Sequence, residues 1–532
     1  MSDEDKTPRK ASAGTWIRLG LGALSGLLAG GAALTVAELA AAAVRPQAGP
    51  VVAVGGAAID RTPTAVKDWA IRTFGADDKL VLQLGILAVL TLFALALGAF
   101  AVHRRRTGAA GVLVFGAVGA AAALGRPDSV GVTDALPSVL GAVAGAVLLY
   151  FLVGLLPPPP RGAPEERGEG WDRRRFVIAA TAAAAASAGA GVLGRALSGA
   201  GGREAVASRQ NVTLPPPGSP APPVPRGARV RVAGISPFTT PNSDFYRVDT
   251  ALVVPKVDAT AWRLRIHGEG VARERTLTFD DLLRRELIER DITLTCVSNE
   301  VGGPYVGNAR WIGVRLADLL EECGVRRPSK GGPADQLVAR SVDGMTIGSP
   351  VEDVMDGRDA MLAVGMNGEP LPFDHGFPVR MLVPGLYGYV SACKWIEEIE
   401  LTTFDAYDSY WVERDWARQA PIKTQSRIDT PKPFARPKAG TVMVAGVAWA
   451  QHRGIDKVEI RVDDGPWQEA TLAAEDSRDT WRQWSYAWRA TKGGHNLTVR
   501  ATDRTGEVQT EKRTRTVPDG ASGWHSVVVT VD

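Results

Sequence analysis

Long apolar runs dominate the first two hundred positions of the chain. Each run is close to the ~20 residues that a helix needs to cross the hydrocarbon core of a bilayer. Buried helices of a soluble protein are the alternative, but five such runs in succession favour a transmembrane bundle. The sequence therefore predicts a bundle of about five transmembrane helices in residues 1–198, with spans at 19–37, 80–102, 107–125, 135–156 and 176–194.

Basic residues cluster in alternate connections between these runs. They lie before the first run, between the second and third runs at 103–106, and before the fifth run. Short loops rich in Lys and Arg stay on the cytoplasmic side of a membrane. The pattern predicts a multi-pass protein of the cell membrane, in contact with lipid, whose residues after 198 lie outside the cytoplasm. The other basic residues behind this prediction are Lys6, Arg9, Lys10, Arg18, Arg161, Arg167, Arg173, Arg174 and Arg175.

The segment that opens the fifth run carries a second signal. Asp172 is followed by three arginines and by Phe176, Val177 and Ile178, a pattern typical of a twin-arginine export signal although it lies inside the chain. A simple positive flank of a helix explains the arginines equally well. Only His103 lies near any span, so haem ligation by two histidines inside the membrane is excluded. The helices are interpreted as an anchor or docking surface.

Periodicity changes after the fifth run. Residues 199–226 form a Pro/Gly-rich linker that cannot build a core. In 227–435, alternation at Trp262–His267 predicts a strand, and Phe279–Glu289 predicts a helix with acidic residues in its first turn. This region is α+β. Residues 436–532 hold about seven short alternating strands separated by turn signals, which predicts an immunoglobulin-like sandwich.

Composition excludes several classes of protein and leaves one cysteine of interest. The 532 residues carry a net charge of +3, so nothing indicates a nucleic-acid partner. The three cysteines match neither a disulfide framework nor a zinc pattern. Cys296 follows the strand-like run Ile292–Thr295 and precedes a Gly-rich loop, a place where a thiolate suits a soft transition metal. A buried structural cysteine is the alternative for a thiol considered alone.

Six separated motifs resemble the sulfite oxidase superfamily of molybdopterin oxidoreductases, over about 300 residues from Thr240 onward. Cys296 falls where that family has its molybdenum-ligating cysteine. The motifs, in chain order, are Pro241–Asp249, Cys296 with Asn308–Leu316, Asp343–Ile347, Asn367–Pro372 with His375–Arg380, Pro384–Gly388 with Lys394–Trp395, and the tail segments Gly446–Trp449, Val458–Gly465 and Arg500–Asp503.

The resemblance implies a cofactor and its ligands. Cys296 would be the catalytic residue and the metal ligand of Mo-molybdopterin, whose dithiolene supplies two further sulfurs. Taken singly, the charged members of the implied pterin site could be surface charges, and the aromatic ones could belong to the core. The tail implies a homodimer through the last domain. The implied cofactor contacts are Asn242, Phe245, Tyr246, Arg247, Ser341, His375, Arg380 and Lys394.

Two departures from the family pattern bear on the substrate. Sulfite-oxidising members carry arginines a few residues after the cysteine, whereas this chain has Asn299, Glu300 and Val301; the family's active-site tyrosine is replaced by Trp416. A negative charge at Glu300 would repel sulfite. We therefore expect oxygen-atom transfer that reduces a small S- or N-oxide, with sulfite oxidation and a non-enzymatic scaffold or sensor as alternatives. The chain has no haem domain, so a separate electron-transfer partner is expected.

Overall fold

Two compact units make up the structure, a computed structural model. It describes residues 13–63, 66, 69–70, 73–74, 78–157 and 173–532. The first unit comprises the described residues up to Arg203 together with Ala251–Val253, and the second comprises 204–250 and 254–532. Some residues used to predict membrane orientation and export lie outside the described ranges, namely Lys6, Arg9, Lys10, Arg161, Arg167 and Asp172.

Helices form the first unit. The named helices are α1 Ala13–Val44, α2 Pro50–Arg61, α3 Asp78–Ala101, α4 Arg105–Leu124, α5 Leu136–Gly154 and α6 Arg173–Asn211, the last of which continues past Arg203. Among the described residues, five helical segments are long and apolar enough to cross a membrane, which confirms the predicted number of long apolar helices. These segments are Gly14–Val44, Lys79–Ala101, Arg105–Leu124, Val132–Gly154 and Arg173–Gly194.

Small residues allow α1 and α3 to pack backbone against backbone. A Cβ added to Gly26 would lie 1.9 Å from the carbonyl oxygen of Ala94, and one added to Gly98 would lie 2.1 Å from that of Gly22. Such distances leave no room for any side chain. Between helices in an apolar environment, association relies mainly on van der Waals contact at such close approaches, because apolar surroundings provide no hydrophobic driving force.

Two sheets, one mixed and one antiparallel, form the first domain of the second unit. One sheet has the order β2-β1-β10-β5-β6, and the other has the order β3-β4-β7-β8 with β9 paired to β7. The strands are β1 Arg263–Gly268, β2 Arg275–Thr278, β3 Leu287–Thr295, β4 Val306–Arg315, β5 Gln336–Ser341, β6 Thr346–Pro350, β7 Met361–Met366, β8 Glu369–Pro370, β9 Arg380–Leu382 and β10 Ile396–Thr402, with the short helices α7 Phe279–Leu283, α8 Leu316–Glu322, α9 Val351–Val354 and α10 Gly388–Ser391.

The helix expected over Phe279–Glu289 is much shorter than predicted. It starts where expected, at a capping box in which Thr278 and Asp281 satisfy each other's backbone N–H groups, but it ends at Leu283. Residues from Leu287 onward form β3 because they pair with β4 along their whole length and become buried. Tertiary pairing therefore outweighs the local helical pattern at this point.

Two four-stranded sheets form the C-terminal domain, as the alternating pattern predicts. Their orders are β11-β12-β16-β15 and β14-β13-β17-β18. Large apolar side chains such as Trp484 and Val444 fill the space between them and are completely buried. The strands are β11 Gln425–Thr430, β12 Gly440–Trp449, β13 Ile455–Val462, β14 Gln468–Glu469, β15 Thr471–Leu472, β16 Arg482–Ala490, β17 Gly493–Asp503 and β18 His525–Val531.

Candidate active site

Cys296 lies immediately after β3, at the start of a closed loop. The antiparallel pairing of β3 and β4 ends at Thr295 and Val306, so residues 296–305 form the connection between the two strands. The Cys296 N–H donates to the carbonyl oxygen of Tyr305 at 3.0 Å and closes the loop. The thiol is buried, and burial raises its pKa above the ordinary value despite hydrogen bonds from Ser298 and the positive charge of Lys394.

Aromatic rings pack together close to this thiol. Phe245 stacks on Tyr246 with centroids 5.2 Å apart and meets the edges of Trp311 and His375 at 5.8 and 5.5 Å. Burial raises the pKa of the Tyr246 hydroxyl, and the nearby Cys296 sulfur raises it further. These rings contact one another and form one aromatic cluster.

A buried arginine with incomplete hydrogen bonding lies against the Trp311 ring of these aromatic residues. Arg380, at the start of β9, is 5% exposed, and its guanidinium lies 5.0 Å from the centre of the Trp311 ring. One Nη donates to the carbonyl oxygen of His375 at 3.2 Å, whereas the buried Nε has no hydrogen-bond partner. Burial lowers the pKa of Arg380 to about 10. Buried, under-bonded cations are costly unless an anion joins them.

Lys394 and Arg247 are two further cations, and both pair with Asp249. The Nζ of Lys394 lies 2.9 Å from Asp249 Oδ2 and donates to the carbonyl oxygen of Asp374. Arg247 is partly exposed and pairs with both Asp249 and Asp374 at 3.1 Å. Both predicted cations therefore have acidic neighbours that no motif indicated: Lys394 and Arg247 share Asp249, and Arg247 also pairs with Asp374.

The remaining predicted contacts include two buried polar residues, His375 and Ser341. His375 is buried, and its Nε2 lies 3.0 Å from the carbonyl oxygen of Asn242; burial and Arg380 lower the His375 pKa to about 4, which keeps the ring neutral. Ser341 is the last residue of β5 and lies opposite Ile396 of β10, two positions after Lys394. Its buried hydroxyl has no hydrogen-bond partner. Two polar groups of the predicted set, on Ser341 and Arg380, are therefore buried and unsatisfied.

Sequence reasoning missed Tyr387. It is buried, and burial raises the pKa of its hydroxyl, which the negative charges of Asp519 and the Cys296 sulfur raise further. A Cβ added to Gly520 would lie 2.6 Å from this hydroxyl, so a loop of the C-terminal domain covers it. The sequence signal for Tyr387 is its place in the Pro384–Gly388 motif.

The two departures from the family pattern have clear positions. Asn299 is buried, and its Oδ1 accepts from the Tyr305 N–H at 2.8 Å, whereas Glu300 is exposed. Trp416 packs on Tyr389 and Trp411 with centroids 5.4 and 6.0 Å away. Neither of the residues that follow Asn299 carries a positive charge. All three cysteines are free and buried, so Cys323 and Cys393 do not pair.

Comparison with known proteins identifies the second unit. The family model described as "Oxidoreductase molybdopterin binding domain" matches residues 251–411, and the one described as "Mo-co oxidoreductase dimerisation domain" matches residues 418–532. From residue 251 onward, the chain belongs to the sulfite oxidase superfamily. It is a molybdenum-cofactor-dependent oxidoreductase by that membership, and the cofactor it implies is Mo-molybdopterin.

Relatives within the superfamily cover only part of the chain. Mitochondrial sulfite oxidase of Rattus norvegicus is 31% identical over 288 residues, 46% of this chain and 52% of that protein. Nitrate reductase [NADH] 1 of Oryza sativa is 34% identical over 201 residues, 34% of this chain and 21% of that protein. The chain thus spans about half the length of the first of these relatives. The sulfane dehydrogenase SoxCD structure from Paracoccus pantotrophus matches with a TM-score of 0.48 and 23% identity, covering 56% of this chain and 84% of that one.

The side chains around Cys296 fit the cofactor of the superfamily. Among the described residues, no group of three His, Cys, Asp or Glu side chains could hold a metal ion. A metal at Cys296 therefore needs its other ligands from a non-protein group, as a dithiolene provides. A pterin that carries a phosphate is also an anion, and the unsatisfied Nε of Arg380 and hydroxyl of Ser341 are donors that an anion would satisfy.

Proposed function

We propose that this chain catalyses oxygen-atom transfer at a molybdenum centre held by Cys296, in the direction that reduces a small neutral S-oxide or N-oxide. The observation that carries the proposal is the burial of the Cys296 thiol and of an under-bonded cation, Arg380, both of which act electrostatically on Tyr246. When bound, the cofactor supplies the two-electron redox chemistry. For a sulfoxide, two electrons and two protons convert R2SO to R2S and water.

The residues of the chain would hold and orient the cofactor. The Cys296 sulfur would ligate the metal, which stabilises the thiolate that burial otherwise disfavours. Arg380, Lys394 and Arg247 would contact anionic parts of the pterin, and the hydroxyl of Ser341 would donate to it. Phe245 and Tyr246 would lie along the ring system. His375 stays neutral, and Asn242 is held beside it by the backbone contact to its carbonyl oxygen.

The direction of catalysis is inferred from charge around the loop after Cys296. Asn299 is fixed by Tyr305, and the exposed Glu300 follows it, so neither of these positions offers a cation to bind an anionic substrate. A neutral oxide avoids the repulsion that sulfite would meet from a carboxylate. Trp416 packs against Tyr389 and Trp411, so this position supplies a ring without a hydroxyl group for an anionic substrate.

Sulfite oxidation with an external acceptor is the second candidate. It is favoured by the relatives named sulfite oxidase, at 31% identity in the rat protein. That reaction consumes sulfite and water and releases sulfate, two protons and two electrons. The two candidates differ in the direction in which electrons flow, so one pair of assays separates them.

Metal analysis and paired assays test the proposal. Purified full-length protein is expected to contain molybdenum, and the matched variant Cys296→Ser is expected to lose it, whereas Cys323→Ser serves as the control because Cys323 belongs to the apolar core. Dimethyl sulfoxide or trimethylamine N-oxide should oxidise a reduced viologen dye in the presence of the wild type. Sulfite-dependent reduction of ferricyanide without oxide reduction would favour the second candidate. Folded protein that never contains molybdenum would support a scaffold or sensor.

We also propose that the first unit is a multi-pass membrane anchor, with the molybdenum site outside the cytoplasm. The basic connection at 103–106 marks the inner side, and on the opposite side Arg45 and Arg126 pair with Asp128 at 2.7 and 2.8 Å. Pairing with an acid removes the excess positive charge that would retain this side in the cytoplasm. A reporter that is active only outside the cytoplasm should be active when it is fused after residue 130. A reporter that is active only in the cytoplasm should be active when it is fused after residue 106.

Electrons and assembly require partners. We propose that a separate redox protein exchanges electrons with the site and that two copies associate through the C-terminal domain, which the dimerisation model supports. A cavity of about 1030 Å³ lined by Arg226, Arg229, Arg231 and Arg310 offers a surface for an acidic partner. Electron transfer from such a partner should slow as ionic strength rises. Light scattering of detergent-solubilised protein tests the dimer.

A further inference from the structure

The loop after Cys296 points its two central glycines toward the C-terminal domain. Inside the loop, the Asn299 N–H donates to the carbonyl oxygen of Cys296 at 3.0 Å, and the Gly303 N–H donates to that of Glu300 at 2.8 Å. These bonds, with the closing bond to Tyr305, fix the conformation of the loop, and the two glycines of its tip, Gly302 and Gly303, meet side chains of the C-terminal domain.

Arg427 of β11 holds one side of the tip. It is 8% exposed, and Nη1 donates to the carbonyl oxygen of Gly303 at 2.8 Å. Its Nε donates to Asp429 at 2.7 Å, and Nη2 donates to the Ser236 hydroxyl at 2.9 Å. All three nitrogens of this guanidinium are used, so its orientation is determined from three directions.

His525 of β18 holds the other side. Its Nδ1 accepts the backbone N–H of Ile428 at 3.0 Å, which leaves the ring neutral with its proton on Nε2. The ring occupies the space that a side chain at position 302 would need, because a Cβ added to Gly302 would lie 2.2 Å from Cδ2 of His525. Gly302 also has a φ of +80°, which disfavours other residues.

The C-terminal domain also holds the strand end that precedes the cysteine. The amide of Gln451 donates to the carbonyl oxygen of Thr293 and to the hydroxyl of Thr295, both at 2.9 Å. Gln451 is buried and follows β12. Cys296 is therefore held between two segments, and the same domain contacts both of them.

We propose that Arg427 and His525, which we call the clasp, are positioning residues that fix the direction of the Cys296 sulfur through the tip of the loop. The inference rests on the proposed role of Cys296 as the molybdenum ligand. It assigns the C-terminal domain a part in the metal site, in addition to any part in association between copies. Without the clasp the loop would keep its internal bonds, but the tip would move and the sulfur would sample several orientations.

A double-mutant cycle at Gly302 and His525 tests the clasp. Gly302→Ala introduces a methyl group that collides with the ring, and His525→Ala removes the ring; the double variant removes the collision. The control for backbone strain is Gly506→Ala, because Gly506 has a φ of +87° and open space around it. The readouts are amide hydrogen exchange in residues 297–305 of cofactor-free protein and the electron paramagnetic resonance spectrum of molybdenum in loaded protein.

Each outcome of the cycle supports or overturns the proposal. We expect Gly302→Ala to speed exchange in the loop by about tenfold or more while exchange elsewhere stays unchanged, and to alter the molybdenum spectrum. In the double variant, amide exchange in the loop should be slower than in Gly302→Ala, so the effects of the two substitutions would be non-additive. Strict additivity, or an effect equal to that of Gly506→Ala, would overturn the proposal. Loop exchange remains informative if the wild type holds no molybdenum, a result that would sink the proposed function alone.

Arg427→Lys provides a second, independent test, because it keeps the positive charge but cannot hold Gly303, Asp429 and Ser236 together. The matched control is Arg436→Lys, which changes an exposed arginine of the same domain that pairs with Asp532. We expect Arg427→Lys to change the molybdenum spectrum and loop exchange with little change in the rest of the domain. Wild-type behaviour in both readouts would contradict the role of Arg427.

Discussion

Two buried arginines of the second unit differ in what surrounds them. Arg427 comes from the C-terminal domain, and each of its nitrogens has a protein acceptor. Arg380 comes from the molybdopterin-binding domain, and it has one carbonyl acceptor and an unsatisfied Nε. The first is complete within the protein and serves the scaffold. The second is incomplete, as expected of a residue whose partner is a ligand. The number of satisfied donors thus separates two roles that residue type and burial do not.

The largest effect is expected at the complete arginine. Arg427→Met would leave the carboxylate of Asp429, which is 3% exposed, without its cation. Breaking a buried ion pair in this way costs about 3–5 kcal/mol in the free energy of unfolding. Urea denaturation of the wild type and the variant measures the difference, with Arg436→Met as the exposed control. A loss no greater than that of the control would remove the distinction drawn here.

The next effect concerns acidity at the clasp. Burial and the nearby Arg427 lower the pKa of His525 to about 4, below the 6.5 expected in the unfolded chain. Between these values the unfolded state binds more protons, so stability should fall as pH drops from about 6.5 to about 4. The contribution is roughly 2–3 kcal/mol. Denaturation midpoints across this window should change less in His525→Gln, and identical slopes in both proteins would contradict the expectation. The other charges that act on His525 come from Asp429 and Arg513.

The incomplete arginine should behave in the opposite way. Arg380→Met removes a buried cation that lacks a full set of acceptors, so the cofactor-free protein should gain roughly 1–3 kcal/mol in its free energy of unfolding. The same variant should lose most of its molybdopterin. Thermal denaturation of the cofactor-free form and quantification of the bound pterin measure the two changes. Lower stability of the cofactor-free variant would show that Arg380 is structural, like Arg427.

The smallest effect tests a half-buried acid whose neighbouring cation is already paired. Burial and repulsion by Asp291 raise the pKa of Asp476 to about 6, and the opposing attraction of Arg310, which is bound to Asp291 at 2.6 Å, does not reverse the shift. The folded state thus favours the protonated acid, and stability should decline as pH rises from about 4 to about 6. Asp476→Asn should therefore stabilise the protein at pH 7 by less than about 1 kcal/mol. A destabilised variant at that pH would contradict this assignment.

Local patterns predict the elements well where they extend over many residues. The apolar runs correspond to long helices, and the alternating tail forms the two-sheet domain. The helix expected to reach Glu289 ends at Leu283, because the following residues pair with β4, a partner that lies outside the window in which the helical pattern is read. Helix α2 was not predicted, since its segment is short and its connection mixes charges.

The predicted site shows the same limit. Motifs indicated Arg380, Lys394 and Ser341, and the structure shows that all three are buried. The acidic partners Asp249 and Asp374 were not foreseen, because ion pairing depends on distances that motifs do not contain. Arg427 and His525 were missed for a related reason. They act on the loop through a carbonyl oxygen and a glycine, neither of which marks a sequence as functional.

The position of His525 along the chain sets a schedule for biosynthesis. Cys296 leaves the ribosome long before β18, and at usual elongation rates the interval is on the order of ten to forty seconds. Throughout that time the loop exists without the ring that fills the space beside Gly302. If the clasp fixes the Cys296 sulfur as proposed, a pterin that binds before β18 has paired would meet a loop whose tip is not yet held. Mutations that slow the pairing of the last strand would then delay insertion of the cofactor.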